Sequence, residues 1–289
     1  MLKAIIKELR IHQWIKNMFL LIPLVFDRQL FLVEPLTRTI IGFFIFCFVS
    51  SSVYLINDVM DVEADRLHPK KKNRPIASGE LPIPFAIAIA SFLVIGSFIG
   101  AYFLSIAFLI ILVFYFFINL AYSIKLKHIP LVDVFIVAAG FVLRVGAGVS
   151  IIEVERFSPW LYAVTTVFAL FFALGKRRGE LATIQNSNNN QRKVLDGYTI
   201  PLLDQFITII SATTLISYSL YTFSAPNLPE NHSMMLTIPF AIYGIFRYLY
   251  LIQVKNEGGA PDELVLSDRQ LQITFLLFAI SVLIIFYLF

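Results

Sequence analysis

Only one of the 289 residues is cysteine, Cys47, and it lies inside an apolar run, so no intrachain disulfide holds this fold. The four histidines, His12, His68, His128 and His232, lack metal-binding spacing. There is no P-loop, no Gly-x-Ser-x-Gly and no cysteine pair, which leaves nucleophilic protein catalysis without a candidate. Gly258-Gly259-Ala260-Pro261 has no Gly-x-Gly-x-x-Gly pattern around it and reads as a turn. Charge is scarce too, at 15% of residues. What fills the chain is apolar: 58% hydrophobic residues, 29 phenylalanines and a mean hydropathy of +0.79. A soluble domain of this length does not need so much apolar surface, so the composition specifies an all-α polytopic membrane protein.

Apolar runs long enough to cross a bilayer occur at 17–34, 38–56, 83–103, 106–123, 132–152, 159–176, 201–222, 235–253 and 271–289. Nine transmembrane helices put the termini on opposite sides. With the N-terminus cytoplasmic, all but four of the 23 lysines and arginines fall on that side, the exceptions being Arg28, Arg38, Arg156 and, inside a span, Arg144. This is the positive-inside signature, and it explains the net charge of +4 by topology rather than by nucleic-acid binding. The expected location is the plasma (inner) membrane, multi-pass, with the active site facing the cytoplasm and the C-terminus outside. No cleavable signal peptide is apparent. Residues 1–16, with Lys3, Lys7, Arg10 and Lys16 among isoleucines and leucines, suggest an amphipathic helix in the membrane interface. Cytoplasmic connections are expected at 57–82, 122–131, 177–200 and 254–270. The Asn-rich 185–191 stretch within them reads as a flexible loop.

The stretch Asn57-Asp58-Val59-Met60-Asp61-Val62-Glu63-Ala64-Asp65 closes the second run. Asn57, Asp61 and Asp65 are spaced i, i+4, i+8, which on a helix spans an arc of roughly 80°, with Asp58 close by. Converging carboxylates repel in low dielectric unless a cation sits among them, and hard oxygen ligands suit Mg²⁺ bridged to substrate phosphates. A solvated acidic helix end is the competing reading. His68-Pro69-Lys70-Lys71-Lys72-Asn73-Arg74-Pro75 follows and supplies cations for phosphate oxygens, which favours a metal-and-diphosphate site.

Four further groups carry polar chemistry. Tyr122-Ser123-Ile124-Lys125-Leu126-Lys127-His128 ends the fourth run, where anchoring by positive charge competes with substrate contact. Asp133, Gly140 and Arg144 share one face of the fifth, and charges within a span face a bundle interior or an aqueous cavity. A direct Asp133–Arg144 pair is excluded by about 16 Å of helix rise, so each requires another partner. Gly140, Gly146 and Gly148 permit close approach there. Gly175-Lys176-Arg177-Arg178-Gly179-Glu180 closes the sixth run, as helix-end anchors or as phosphate ligands. Arg247, with Tyr248 and Tyr250, and Ser267-Asp268-Arg269 form the fourth group.

With these residues assembled, the chain resembles the UbiA-type intramembrane prenyltransferase superfamily over its whole length. The resemblance rests on Asn57, Asp61 and Asp65, on Arg74-Pro75-Ile76-Ala77-Ser78-Gly79, and on Tyr122-Ser123 to Lys125. It implies a single transmembrane domain over 1–289, a UbiA-like bundle with a cytoplasmic-side cavity. One departure stands out: the superfamily's second Asp-rich motif is replaced by Lys176, Arg177 and Arg178. Gln13-Trp14-Ile15-Lys16-Asn17, Asn57 to Pro82, Leu126 to Gly148, Leu174 to Leu181, Phe246 to Tyr250, and Glu257-Gly258-Gly259 to Asp268-Arg269 are similar to the branch that transfers phosphoribose to polyprenyl phosphates. That branch implies 5-phosphoribose 1-diphosphate as donor, a decaprenyl-type polyprenyl phosphate as acceptor and Mg²⁺ as cofactor. Asn57, Asp61 and Asp65 are then the catalytic and metal-holding residues. The substrate-binding set is Lys16, Asp58, Lys72, Arg74, Tyr122, Lys125, Asp133, Arg144, Lys176, Arg177, Arg178 and Arg247. No nucleic acid is implied, and a homo-oligomer is admitted. An isoprenyl-diphosphate-dependent enzyme with a degenerate second motif is the alternative. A transporter is a third reading, though no convincing internal repeat supports it.

Overall fold

A computed structural model describes residues 1–69, 71–152, 158–185, 193–226, 228–255, 264–265 and 267–288. Among them every regular element is helical: α1 (Leu2–Glu8), α2 (Ile22–Phe26), α3 (Val33–Met60), α4 (Val62–Leu67), α5 (Pro75–Ser78), α6 (Ile83–Leu104), α7 (Ile106–Ile124), α8 (Val132–Val149), α9 (Pro159–Gln185), α10 (Ile200–Ser224), α11 (Ile238–Gln253) and α12 (Arg269–Leu288). Expectations resting on Lys70, Arg156, Arg192, Asn186–Gln191 and Glu257–Pro261 lie outside the described residues.

Eight of these helical segments are long and apolar enough to cross a membrane. The span expected at 17–34 differs. Its apolar helix runs Ile11–Phe26, opening as a 3-10 helix over Ile11–Leu21. Arg10, in the left-handed region at φ 50°, separates it from α1, and Arg28, at φ 56°, turns the chain after Phe26. The expected interfacial helix is likewise confined to Leu2–Glu8. Between α6 and α7 the break falls at Ser105, whose backbone is extended and whose hydroxyl accepts from the Phe108 amide at 3.4 Å. The largest revision concerns α9. It continues to Gln185, so Lys176, Arg177 and Arg178 lie inside a helix rather than at its C-terminus, and the loop expected from 177 begins later.

The chain packs as two compact units. The first comprises 1–25, 29–124 and 143–153, and α3 is its central helix. Of the most apolar window of α3, 61% is buried, against 17% and 22% for α6 and α7, whose remaining side chains face outward as a lipid-facing surface requires. Gly100 of α6 lets Ile45 of α3 approach, its Cβ position lying 3.2 Å from Ile45 Cδ1. Arg38 donates to the carbonyls of Leu104 (2.7 Å) and Ile151 (3.1 Å), satisfying acceptors left over at helix ends. The second unit comprises 26–28, 125–142 and 154–289. Its core gathers Phe171, Leu174, Leu203, Ile207, Tyr248 and Leu251 from α9, α10 and α11.

Gly148 bears out the expected close approach within the first unit. A Cβ there would lie 2.1 Å from the Leu20 carbonyl oxygen. Backbone atoms cannot yield as a side chain can, so Gly148→Ala is expected to destabilise the protein by about 1–3 kcal/mol. Gly96→Ala, with no atom within 4 Å of its Cβ, is the control and should leave the thermal midpoint in detergent unchanged or slightly raised.

Candidate active site

The acidic motif stands where α3 gives way to α4. Asp61 itself is not helical (φ −92°, ψ 7°), so the motif straddles a break instead of lying on one continuous helix. Helical spacing survives nonetheless, because Asp61 N–H bonds Asn57 O at 2.9 Å and Asp65 N–H bonds Asp61 O at 2.8 Å. Asp58 and Asp65 are buried, and Asn57 and Asp61 are half-buried. Cations compensate them from two directions. Arg74 Nη1 donates to Asp58 Oδ1 at 2.9 Å and to Asp65 Oδ2 at 2.5 Å, while Lys71 Nζ stands 3.8 Å from Asp65 Oδ1. Arg10 pairs with Asp58 Oδ2 and lies 4.9 Å from the centre of the Tyr54 ring. Asn57 Nδ2 reaches Asp58 Oδ1 at 3.5 Å. Asp58, expected to bind substrate directly, is thus occupied by internal donors. Lys72 is exposed, and Lys16 and Tyr122 are half-buried.

Arg10 and Glu8 are the residues that the sequence reading missed here. Glu8 is 2% exposed, and its Oε1 is buried with no hydrogen-bond partner. Burial, then the neighbouring Asp58 carboxylate, push the Glu8 carboxyl up to about 8, against the pull of Arg10 and Arg74. A glutamate in a predominantly basic N-terminal segment gave no sign of this burial.

Deeper in the same unit, Arg144 donates to Asn17 Oδ1 (2.8 Å) and Tyr115 OH (2.9 Å) and lies over the rings of Phe46 and Tyr115. All three polar residues are buried. The expected inward orientation holds, and the partners are neutral side chains. An apolar cleft of about 390 Å³ lies between α3 and α6, lined by Leu55, Ile56, Val59, Met60, Ala86 and Ala90. At 100° per residue its α3 side is opposite to that of Asn57 and Asp61.

In the second unit, Asp133 is fully buried and pairs with Arg177. It also accepts from Tyr198 OH at 2.7 Å, and that hydroxyl in turn accepts from Leu131 N–H at 2.6 Å. Burial and the Asp133 bond hold the Tyr198 hydroxyl above its usual range. Arg177 also reaches Glu180 at 2.5 Å. Arg178 pairs with Asp204 at 2.6 Å and donates to the Ile252 carbonyl. Arg177 and Arg178, 3% and 6% exposed, thus fasten helices to one another in this structure, with Asp133 anchoring Arg177 and Asp204 anchoring Arg178. Half-buried Lys176 is the more accessible of the three cations. Gly175 matters sterically: a Cβ there would meet the Tyr248 hydroxyl at 2.2 Å, and Tyr248 is packed in the core. Arg247 pairs with Asp268 at 2.7 Å, and this pair with the Leu271 amide lowers the Asp268 carboxyl below its ordinary range. Lys125 is exposed.

The chain belongs to the UbiA prenyltransferase family, whose model matches residues 30–266. It is 37% identical over 279 residues to decaprenyl-phosphate phosphoribosyltransferase of Corynebacterium glutamicum, covering 93% of this chain and 82% of that protein. The enzyme of the same name from Mycolicibacterium smegmatis is 35% identical, with 96% and 90% covered. A UbiA homolog from Archaeoglobus fulgidus bound to GPP and Mg²⁺ shares the fold at a TM-score of 0.73 and 20% identity, over 98% of this chain and 99% of that one.

Breaking a buried ion pair by removing one partner costs about 3–5 kcal/mol, because the other charge stays behind. Arg177→Ala is expected to lose stability of that order in thermal unfolding, and Lys176→Ala to change it by less than about 1 kcal/mol.

Proposed function

We propose that this protein transfers the 5-phosphoribosyl group of 5-phosphoribose 1-diphosphate to a decaprenyl-type polyprenyl phosphate, releasing diphosphate. The observation that carries the reading is the pairing of an intact acidic centre with a second-motif position that has Lys176, Arg177 and Arg178 in place of carboxylates. Relatives named for this reaction, 35–37% identical over nearly the whole chain, support it.

The chemistry asks little of protein nucleophiles. The bond from ribose C1 to the diphosphate oxygen breaks, and its electron pair leaves with the diphosphate. A phosphate oxygen of the lipid forms the new bond to C1, which carries oxocarbenium character as at other glycosidic centres. That oxygen is already anionic at pH 7, so no general base is needed and positioning and electrostatics carry the rate. Arg74 and Arg10 would steady the departing diphosphate, each turning from the carboxylates that now hold it. Lys176 is the candidate ligand of the 5-phosphate. Lys16, Lys72, Tyr122, Lys125 and Arg247 remain substrate-binding proposals, and buried Arg144 shapes the site through Asn17 and Tyr115.

The residues also fit Mg²⁺ in kind. Asn57, Asp61 and Asp65 supply hard oxygen donors one helical turn apart, the kind of ligand that Mg²⁺ takes one or two of before completing its shell with substrate phosphates and water. Asn57, Asp61 and Asp65 would hold it, and bound there it would neutralise charge on the leaving group. The Lys and Arg distribution supports a cytoplasmic N-terminus and a cytoplasm-facing site in the plasma membrane.

Purified protein given donor labelled in the ribose, with polyprenyl phosphate, should move the label into the lipid fraction. Labelled isoprenyl diphosphate with aromatic acceptors should give no product. Asp61→Ala should lower transfer at least 100-fold while keeping its thermal midpoint. Isoprenyl transfer without ribosyl transfer would return the chain to the ordinary chemistry of its family.

A further inference from the structure

The 3-10 helix Ile11–Leu21 is long for its kind, since such runs seldom exceed about four residues. It rises about 2.0 Å per residue, against about 1.5 Å for the α-helix that follows to Phe26. The segment Ile11–Phe26 thereby reaches about 30 Å, the thickness of a bilayer's hydrocarbon core, where an unbroken α-helix would reach only about 24 Å. Side chains three apart in a 3-10 helix also eclipse, so this helix has three straight edges instead of one spiralling stripe. The first edge, Trp14, Asn17 and Leu20, is fastened within its unit. Trp14 Nε1 donates to Ser51 Oγ at 3.0 Å, Asn17 Oδ1 accepts from Arg144 at 2.8 Å, and the Leu20 carbonyl oxygen abuts Gly148. The second edge, His12, Ile15 and Met18, is exposed. The third, Gln13, Lys16 and Phe19, is half-buried along its whole length.

We propose that this third edge seats the polyprenyl phosphate acceptor, with the Lys16 ammonium and the Gln13 amide taking its phosphate and Phe19 the first isoprene units of its chain. The inference rests on the reading above for the identity of the lipid. The edge is amphiphilic in the order that such a lipid requires. Its polar end leads toward the acidic centre, because Arg10, immediately before the helix, pairs with Asp58. Lys16 follows Arg10 by six residues, about 12 Å of 3-10 rise, and a lysine stem lying along apolar surface carries its ammonium back over part of that distance. Phe19 continues the edge away from the acidic centre. A cation at this depth in a span is costly and marks a functional site by default. A half-open edge also suits a ligand that arrives sideways through the membrane, as a polyprenyl phosphate does and a water-borne diphosphate does not.

Binding is measured without donor on the full-length protein in detergent, with a polyprenyl phosphate, the matching uncharged polyprenol and phosphatidic acid as probes. Wild type should prefer the polyprenyl phosphate to the polyprenol by about tenfold or more, the value of a hydrogen bond to a charged group, and should bind phosphatidic acid more weakly. Lys16→Ala should lose that preference and Lys16→Arg should keep it. Phe19→Ala should weaken phosphate and alcohol alike, and Met18→Ala, on the exposed edge, should change neither. In transfer assays Lys16→Ala should raise acceptor KM about tenfold and leave donor KM within about twofold. Should Lys16→Ala not fold, Lys16→Met, which keeps the stem without the charge, replaces it with the same expectation. The proposal is overturned by an undiminished preference for the phosphate in these variants. Phosphatidic acid binding as tightly as polyprenyl phosphate would also overturn it and make Lys16 a headgroup anchor. A rise in donor KM instead of acceptor KM would overturn it too, assigning Lys16 to the diphosphate. If wild type shows the preference but transfers no phosphoribose, the functional reading fails and the lipid seat stands.

Discussion

Carboxylates buried at the end of an apolar helix must be compensated, and that requirement organises the first unit. Asp58 and Asp65 lie at the mouth of α3 in a setting too apolar to leave them bare. Arg74 answers both at once, reached through α4 and the short basic turn before α5. Arg10 answers Asp58 from the N-terminal side, with a backbone held in the left-handed region to do so. The connection between α3 and α6 and the entry to the first apolar helix are therefore shaped by the same charges. A site balanced by its own arginines is also primed for an anionic ligand, because those arginines can exchange a carboxylate for a phosphate at small electrostatic cost.

The second unit solves the same problem with opposite signs. Arg177 and Arg178 are the buried charges there, and Asp133, Glu180 and Asp204 come to them from three helices. These two cations tie α8, α9, α10 and α11 together. This leaves Lys176 as the accessible cation of the triplet.

Much of the architecture was legible in the sequence. The runs at 83–103 and 106–123 match α6 and α7 within a residue, because apolar length and the Ser105 break are local signals. The inward orientation of Asp133 and Arg144 was legible too, since the cost of an intramembrane charge leaves few choices. Boundaries that depend on tertiary contact were not. Nothing local ends α9 at Gln185 rather than Lys176, because Arg177 and Arg178, which would have marked its end, pair with carboxylates 44 and 26 positions away. The acidic motif was recognised as a pattern, but its pairing with Arg10 was not, because Arg10 read as an ordinary member of an interfacial helix.

The central claim is that the acidic centre of α3 and α4, compensated by arginine, takes up a divalent cation together with a diphosphate. Binding of Mn²⁺, as a spectroscopic stand-in for Mg²⁺, tests it most directly when titrated by electron paramagnetic resonance with and without inorganic diphosphate. The account predicts weak binding of the ion alone, since Arg74 and Lys71 hold Asp65, and binding at least tenfold tighter with diphosphate present, lost in Asp61→Ala. Tight binding of the ion alone, indifferent to diphosphate and to Asp61, would contradict it.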